Sequence, residues 1–290
     1  MFATVENASL LLSLAGIILA FLFTIIAFIQ RRKAVLTANK TSGDNAIRAK
    51  PDPGRLSAVM ATSFVILTLV LVTSTIVSRA IEARHAPFSS MYEFAIAFAW
   101  GVIVVGIISR WRYRTSAVQN IGLFVALLLL IFARVQFSRP ANLVPALQQS
   151  ALLSAHVAAA VVAYGTLTIG FGAAILLLIQ NRRYSMWLPD AEVLDTIAYH
   201  SVVIGFPFLT LLIILGALWA NIAWGRYWNW DPKETASLVT WLLYAGYMHA
   251  RVVKGWRGTK AAVLLIVGFC AILLTFFGNY VFNGLHSYLR

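Results

Sequence analysis

The sequence predicts an all-α integral membrane protein of about eight transmembrane helices, with both termini on the extracytoplasmic side. Three observations carry that prediction. Hydrophobic residues make up 60% of the 290-residue chain and charged residues only 11%, where a soluble domain carries about 25% charged residues. The apolar residues fall into runs of the length a bilayer core demands, about 20 residues each. The basic residues stand between those runs. The period-two alternation of a membrane barrel is missing, so helices are left to satisfy the backbone in lipid. A net charge of +13 would suit nucleic acid or an anionic surface, but charges set in short connections act on topology instead. The one cysteine, Cys270, lies in an apolar run, which excludes an internal disulfide or a CxxC redox pair. Glu6 precedes the first run and no basic segment does, which argues against a cleaved signal peptide.

Taken in order, the first span covers about 8–30 and stops at Arg31-Arg32-Lys33. A connection rich in Asn, Lys, Gly and Pro runs to Arg55, and the second span covers about 57–78. A short link with Glu82, Arg84, His85 and Pro87 leads to the third, about 92–109, closed by Arg110, Arg112 and Arg114. The fourth is about 118–137; Pro140 and Pro145 break the chain before the fifth, about 152–180. Arg182 and Arg183 follow, then a loop with Asp190, Glu192 and Asp195, then the sixth span, about 201–224. Next comes a polar and aromatic island, Trp224-Gly-Arg-Tyr-Trp-Asn-Trp-Asp-Pro-Lys-Glu234. The seventh span, about 235–250, is followed by Arg251, Lys254, Arg257 and Lys260, and the eighth, about 261–282, by the tail.

Of the 23 basic residues, 16 fall in the connections after spans one, three, five and seven. That excess marks the cytoplasmic face. The island, both termini and the His85 link then lie outside, on the same side as two histidines. His156 stands at the outer end of span five and His286 just beyond the outer end of span eight. His249 stands near the inner end of span seven, roughly 20 Å below the island at the rise of a helix. His200 lies at the cytoplasmic edge of span six, and His85 in an external link beside Arg84 and Pro87.

Zinc favours close Cys/His pairs or acidic and imidazole sets at helical spacing, and the chain holds neither. Two isolated histidines approaching an aromatic platform suit haem better, whose iron takes axial imidazoles and whose plate stacks on Trp and Tyr faces. Its propionates need cations, and Arg226 and Lys233 are in the island. A plainer reading stands beside this one: Trp and Tyr gather at membrane interfaces as anchors without any ligand. Asp231-Pro232 also reads as a helix start, with Asp as N-cap, Pro at the first position and Glu234 in the first turn.

The island closely resembles the tryptophan-rich WWD signature of a haem-handling family of membrane proteins, and within it the CcsA (ResC) type of system II cytochrome c maturation. Further segments are similar to that family: Pro87-Phe-Ser-Ser-Met-Tyr-Glu93, Leu143-Val-Pro-Ala-Leu-Gln148 ahead of His156, and Gly205-Phe-Pro-Phe-Leu209. So are Gly216-Ala-Leu-Trp-Ala-Asn221, Trp241 with Tyr244, His249-Ala-Arg251 and Asn283-Gly-Leu-His-Ser-Tyr288. The resemblance covers about residue 57 to the end. It implies a first helix and cytoplasmic loop over 1–56, and a seven-helix haem-handling domain over 57–290 with an external loop at 224–234. It implies haem b as transient ligand and substrate, with His156 and His286 as axial ligands and His249 at an inner haem site. Trp224, Arg226, Tyr227, Trp228, Trp230, Asp231 and Lys233 are the implied haem-binding residues of the island. The implied partners are apocytochrome c and a CcsB/ResB-type companion subunit, the implied reaction thioether attachment of haem to a CxxCH motif, and the implied membrane a bacterial cytoplasmic or thylakoid one. Two other classes fit less well. A haem exporter or loader of the CcmC type has six spans, and a transporter with an aromatic gate would show an inverted repeat or acidic residues within its spans.

Overall fold

Long apolar stretches leave the backbone no partner but itself, and helix is the regular structure of the described residues, joined by short links. The computed structural model describes residues 2–40, 52–136 and 150–281. It contains eight helices there: α1 (Phe2–Lys40), α2 (Arg55–Ala83), α3 (Met91–Tyr113), α4 (Ala117–Val135), α5 (Ser150–Arg182), α6 (Ala191–Trp224), α7 (Pro232–Val252) and α8 (Thr259–Val281). Seven of them, all but α7, are long and apolar enough to cross a membrane. The protein is an all-α integral membrane protein.

The chain divides into two compact units, essentially 3–75 and 76–290, with the boundary inside α2. The first is a helical hairpin of α1 and most of α2. Gly16 lies so close to α2 that a Cβ there would fall 2.5 Å from Oγ1 of Thr68. Phe23 stacks on Phe64 at 5.5 Å, the Ser9 and Thr75 hydroxyls meet at 2.9 Å, and Arg31 pairs with Asp52 at the hairpin's end.

The second unit is built around α5, which packs against α3, α4, α6 and α8. Lipid tails are as apolar as leucine, so membrane helices gain by close backbone approach at small residues. Gly101 of α3 and Gly165 of α5 are such a pair: a Cβ on Gly165 would stand 3.0 Å from the Gly101 carbonyl carbon. Polar contacts tie the remaining helices. Trp241 Nε1 on α7 donates to Thr210 Oγ1 on α6 at 2.9 Å. At the start of α3, Glu93 accepts from buried Arg79 at 2.8 Å and from the Ser89 N–H and hydroxyl at 2.6 and 2.8 Å. At the far end of the bundle, Asp195 accepts from both terminal nitrogens of Arg251 and from the Gly258 N–H.

Beyond α1, which runs on past Arg31-Arg32-Lys33 to Lys40, two elements differ from the sequence expectation. The helix expected from about 201 starts at Ala191, so Glu192 and Asp195 lie inside α6. An apolar-run reading stops at acidic residues, but a helix continues through them where a partner such as Arg251 meets the charge. The second difference is α7, whose inner face is polar. Glu234, Thr240, Tyr244 and Tyr247 are buried there, while Val239 and Leu242 are exposed. That inward polarity lowers its hydropathy without breaking the helix.

Candidate functional site

The island of residues 224–234 resolves into a helix end, a short loop and a helix start. Trp224 is the last residue of α6. Gly225 follows in the left-handed conformation, φ 74°, and its N–H closes on Asn221 O, which is the usual way a helix stops at glycine. The loop ends at Trp230, a non-glycine residue at φ 56°. Asp231 then caps α7. Its carboxylate accepts from the Lys233 N–H at 3.0 Å, and Glu234 reaches back to the N–H groups of Asp231 at 3.2 Å and Asn229 at 2.8 Å. This is a capping box in which both acids order the loop.

Behind the loop lies a cavity of about 1010 Å3, its open mouth included. Met91, Phe94 and Phe98 of α3 form one wall. His156 and Tyr164 of α5 face Leu212, Gly216 and Trp219 of α6. Tyr227 and Trp228 enter from the loop, Lys233, Glu234 and Ser237 from α7, and Thr275 and Phe276 from α8. The aromatic rings interlock: Phe98 meets both Tyr164 and Phe276 edge-on, at 5.2 and 5.5 Å.

The imidazole of His156 is held in a defined orientation. Nδ1 stands 2.8 Å from the Leu212 carbonyl oxygen of α6. A carbonyl only accepts, so Nδ1 carries the proton and a neutral ring keeps its lone pair on Nε2. Backbone-fixed Nδ1–H is the arrangement that readies Nε2 as a metal ligand. Gly216 makes the approach possible, because a Cβ there would lie 2.9 Å from Cε1 of His156.

Lys233 supplies a half-buried cation in the first turn of α7, outside the seven apolar spans. Its Nζ lies 5.8 Å from the Phe94 ring centroid. Burial pushes the ammonium down to about 8, and Asp231 only partly opposes that. Loss of hydration is the cause, and an anion brought into the cavity would raise the value again.

Of the residues singled out from the sequence, His156, Tyr227, Trp228 and Lys233 line the cavity. Trp224 stands one ring behind, edge-on to Trp219 at 4.9 Å. Trp230 is exposed, with its ring edge-on to Trp228 at 5.9 Å. Arg226 is exposed on the loop, and buried Asp231 caps α7. His249 is exposed on the face of α7 that carries Leu242, about 18 Å along the helix from Ser237. His286 and the segments 143–148 and 283–288 lie outside the described residues. His200 accepts or donates at Nδ1 to the Tyr113 hydroxyl, at 2.8 Å, and His85 Nδ1 meets Ala86 O at the same distance. Phe94, Phe98, Tyr164, Trp219 and Phe276 were not foreseen as wall residues. Aromatic residues inside apolar helices are ordinary core, and only the i, i+4 spacing of Phe94 and Phe98 hints that they share a face.

An imidazole oriented through Nδ1, aromatic walls and a half-buried cation can receive a flat apolar plate that carries a metal and an anionic edge. Comparison with known proteins shows which family the chain is similar to. Residues 88–286 match the cytochrome c assembly protein family. The chain is 36% identical over 251 residues to a cytochrome c biogenesis protein CcsA of Guillardia theta, covering 77% of this chain and 83% of that protein. It is 37% identical over 245 residues to CcsA of Chlamydomonas reinhardtii, covering 79% and 67%. For CcsA of Prochlorococcus marinus subsp. pastoris the identity is 34% over 266 residues, covering 81% and 82%.

Proposed function

The chain belongs to the cytochrome c assembly family, and from that premise we propose that it is the haem-handling subunit of a system II cytochrome c synthase. The observation that carries the reading is His156: an imidazole pinned through Nδ1 at the wall of an aromatic cavity. Haem is the substrate. His156 and His286 are its axial ligands at the outer face, and His249 belongs to an inner stage. Tyr227 and Trp228 pack on the plate, with Trp224 supporting the wall through Trp219. Lys233 meets a propionate within the cavity. Arg226 and Trp230, being exposed, act on the part of haem left outside the walls, and Asp231 holds the loop that presents it.

Two replaceable neutral imidazoles suit a substrate that must leave. The histidine of the CxxCH motif of apocytochrome c displaces one of them, and the haem vinyl groups then take up the two cysteine thiols as thioethers. The companion is a CcsB/ResB-type membrane subunit. The loop 224–234 and both termini lie on the outer or lumenal side of a bacterial cytoplasmic or thylakoid membrane, as the excess of basic residues in alternate connections indicates.

The test is an absorption spectrum of the protein purified with its companion subunit. A bis-histidine Soret and α/β pattern is expected in the wild type and should fall in both His156→Ala and His286→Ala. His249→Ala should lower haem at the outer site as well, since it would starve the path. Colourless protein that still supports cytochrome c maturation would overturn the reading.

A further inference from the structure

The inner face of α7 carries a row of hydroxyl side chains that the haem reading does not use. Ser237, Thr240, Tyr244 and Tyr247 follow at spacings of three and four residues, so they share one side of the helix. Ser237 opens on the cavity. The Thr240 hydroxyl lies 3.1 Å from that of Thr275, which also lines the cavity, and each donates to a carbonyl of its own helix. Tyr244 comes next. It is 0% exposed, and its hydroxyl meets no hydrogen-bonding partner among the described residues.

The position of that phenol is built into the fold. A Cβ on Gly268 of α8 would stand 3.0 Å from Tyr244 Cζ and 3.2 Å from Cε2. The missing side chain is therefore what admits the tip of the ring. Tyr164, Tyr247 and Cys270 are its electrostatic neighbours, and Tyr164 is itself part of the cavity wall. A buried hydroxyl without a partner is costly, and in native proteins such groups are commonly satisfied by internal water.

We propose that the cavity continues past Tyr164 as a hydrated recess that ends at the Tyr244 hydroxyl, an internal water-binding site between α5, α7 and α8. Water there needs two to four polar partners, of which the Tyr244 hydroxyl is one. The recess makes the wall at Tyr164 the place where a largely aromatic chamber accepts a polar group. The site does not depend on haem, so its test is independent of the reading above.

Removing a dry, unpaired hydroxyl leaves stability unchanged or raises it, whereas removing one that holds a water lowers it. The full chain is compared with Tyr244→Phe, Tyr164→Phe and the double variant by apparent Tm in detergent. Tyr244→Phe is expected to lower Tm by a few degrees, and the double variant to lose less than the sum of the two. Hydroxyl-radical footprinting with millisecond X-ray pulses gives a second measure in the unaltered protein. Tyr244 should be oxidised at a rate comparable with cavity-lining Tyr164, and Tyr92, equally buried away from the cavity, should not. A Tyr244→Phe variant as stable as the wild type or more so, or a Tyr244 as unreactive as Tyr92, overturns the proposal.

Discussion

A methyl group at Gly216 would lie 2.9 Å from Cε1 and 3.1 Å from Nδ1 of His156. Gly216→Ala must therefore push the imidazole off the Leu212 carbonyl or shift α6. Overpacking of this sort costs about 1–3 kcal/mol. The expected outcome is a modest drop in Tm together with a loss of the haem spectrum approaching that of His156→Ala; retained haem would mean the ring has another seat. Lys233 gives a prediction in pH. Its pKa is held at about 8 against an ordinary 10.5. Between those values the unfolded chain binds a proton that the folded one has released, so stability rises with pH across that window. Below about pH 8 both states are protonated and the cost of burying the charge is fully present. In haem-free protein, Tm relative to Lys233→Met should climb from pH 8 to pH 10, and anionic ligand should flatten the climb.

Helix α7 brings together the parts of the site that are local in sequence. Asp231, Pro232 and Glu234 read as a helix start from the sequence alone, and the structure makes them a complete capping box. Removing an N-cap side chain costs about 0.5–2 kcal/mol. Asp231→Ala should lower Tm accordingly. It should also loosen Tyr227 and Trp228, seen as weaker haem retention on dilution with the iron ligation spectrum unchanged. Glu234→Ala is expected to do more, because it strands two loop N–H groups at 229 and 231 at once. The rest of α7 was less legible. Its buried hydroxyls lower its hydropathy, and the direction each residue faces depends on α6 and α8. The acidic start of α6 was hidden for a related reason: the partner of Asp195 is Arg251, 56 residues away.

Across the whole molecule, the membrane class, the existence of eight helices, the polar island and the place of His156 near it were legible in the chain. Each rests on a local property: a run of apolar residues long enough to span lipid, a break in that run, or a rare residue type. The cavity was not. Its walls come from α3, α5, α6, α7, α8 and the loop, and the pairing of His156 with Leu212 joins residues 56 apart. Sequence also grouped the island as one platform, and only packing divided it, turning Trp228 and Lys233 toward the cavity, leaving Tyr227 exposed at its rim, burying Asp231 as a cap and leaving Arg226 and Trp230 exposed. Hydrophobic length is enough to make a membrane helix, because the backbone satisfies itself within one segment. Which side chains meet is decided between segments, by where glycines let helices approach and where a hydroxyl or imidazole finds its partner.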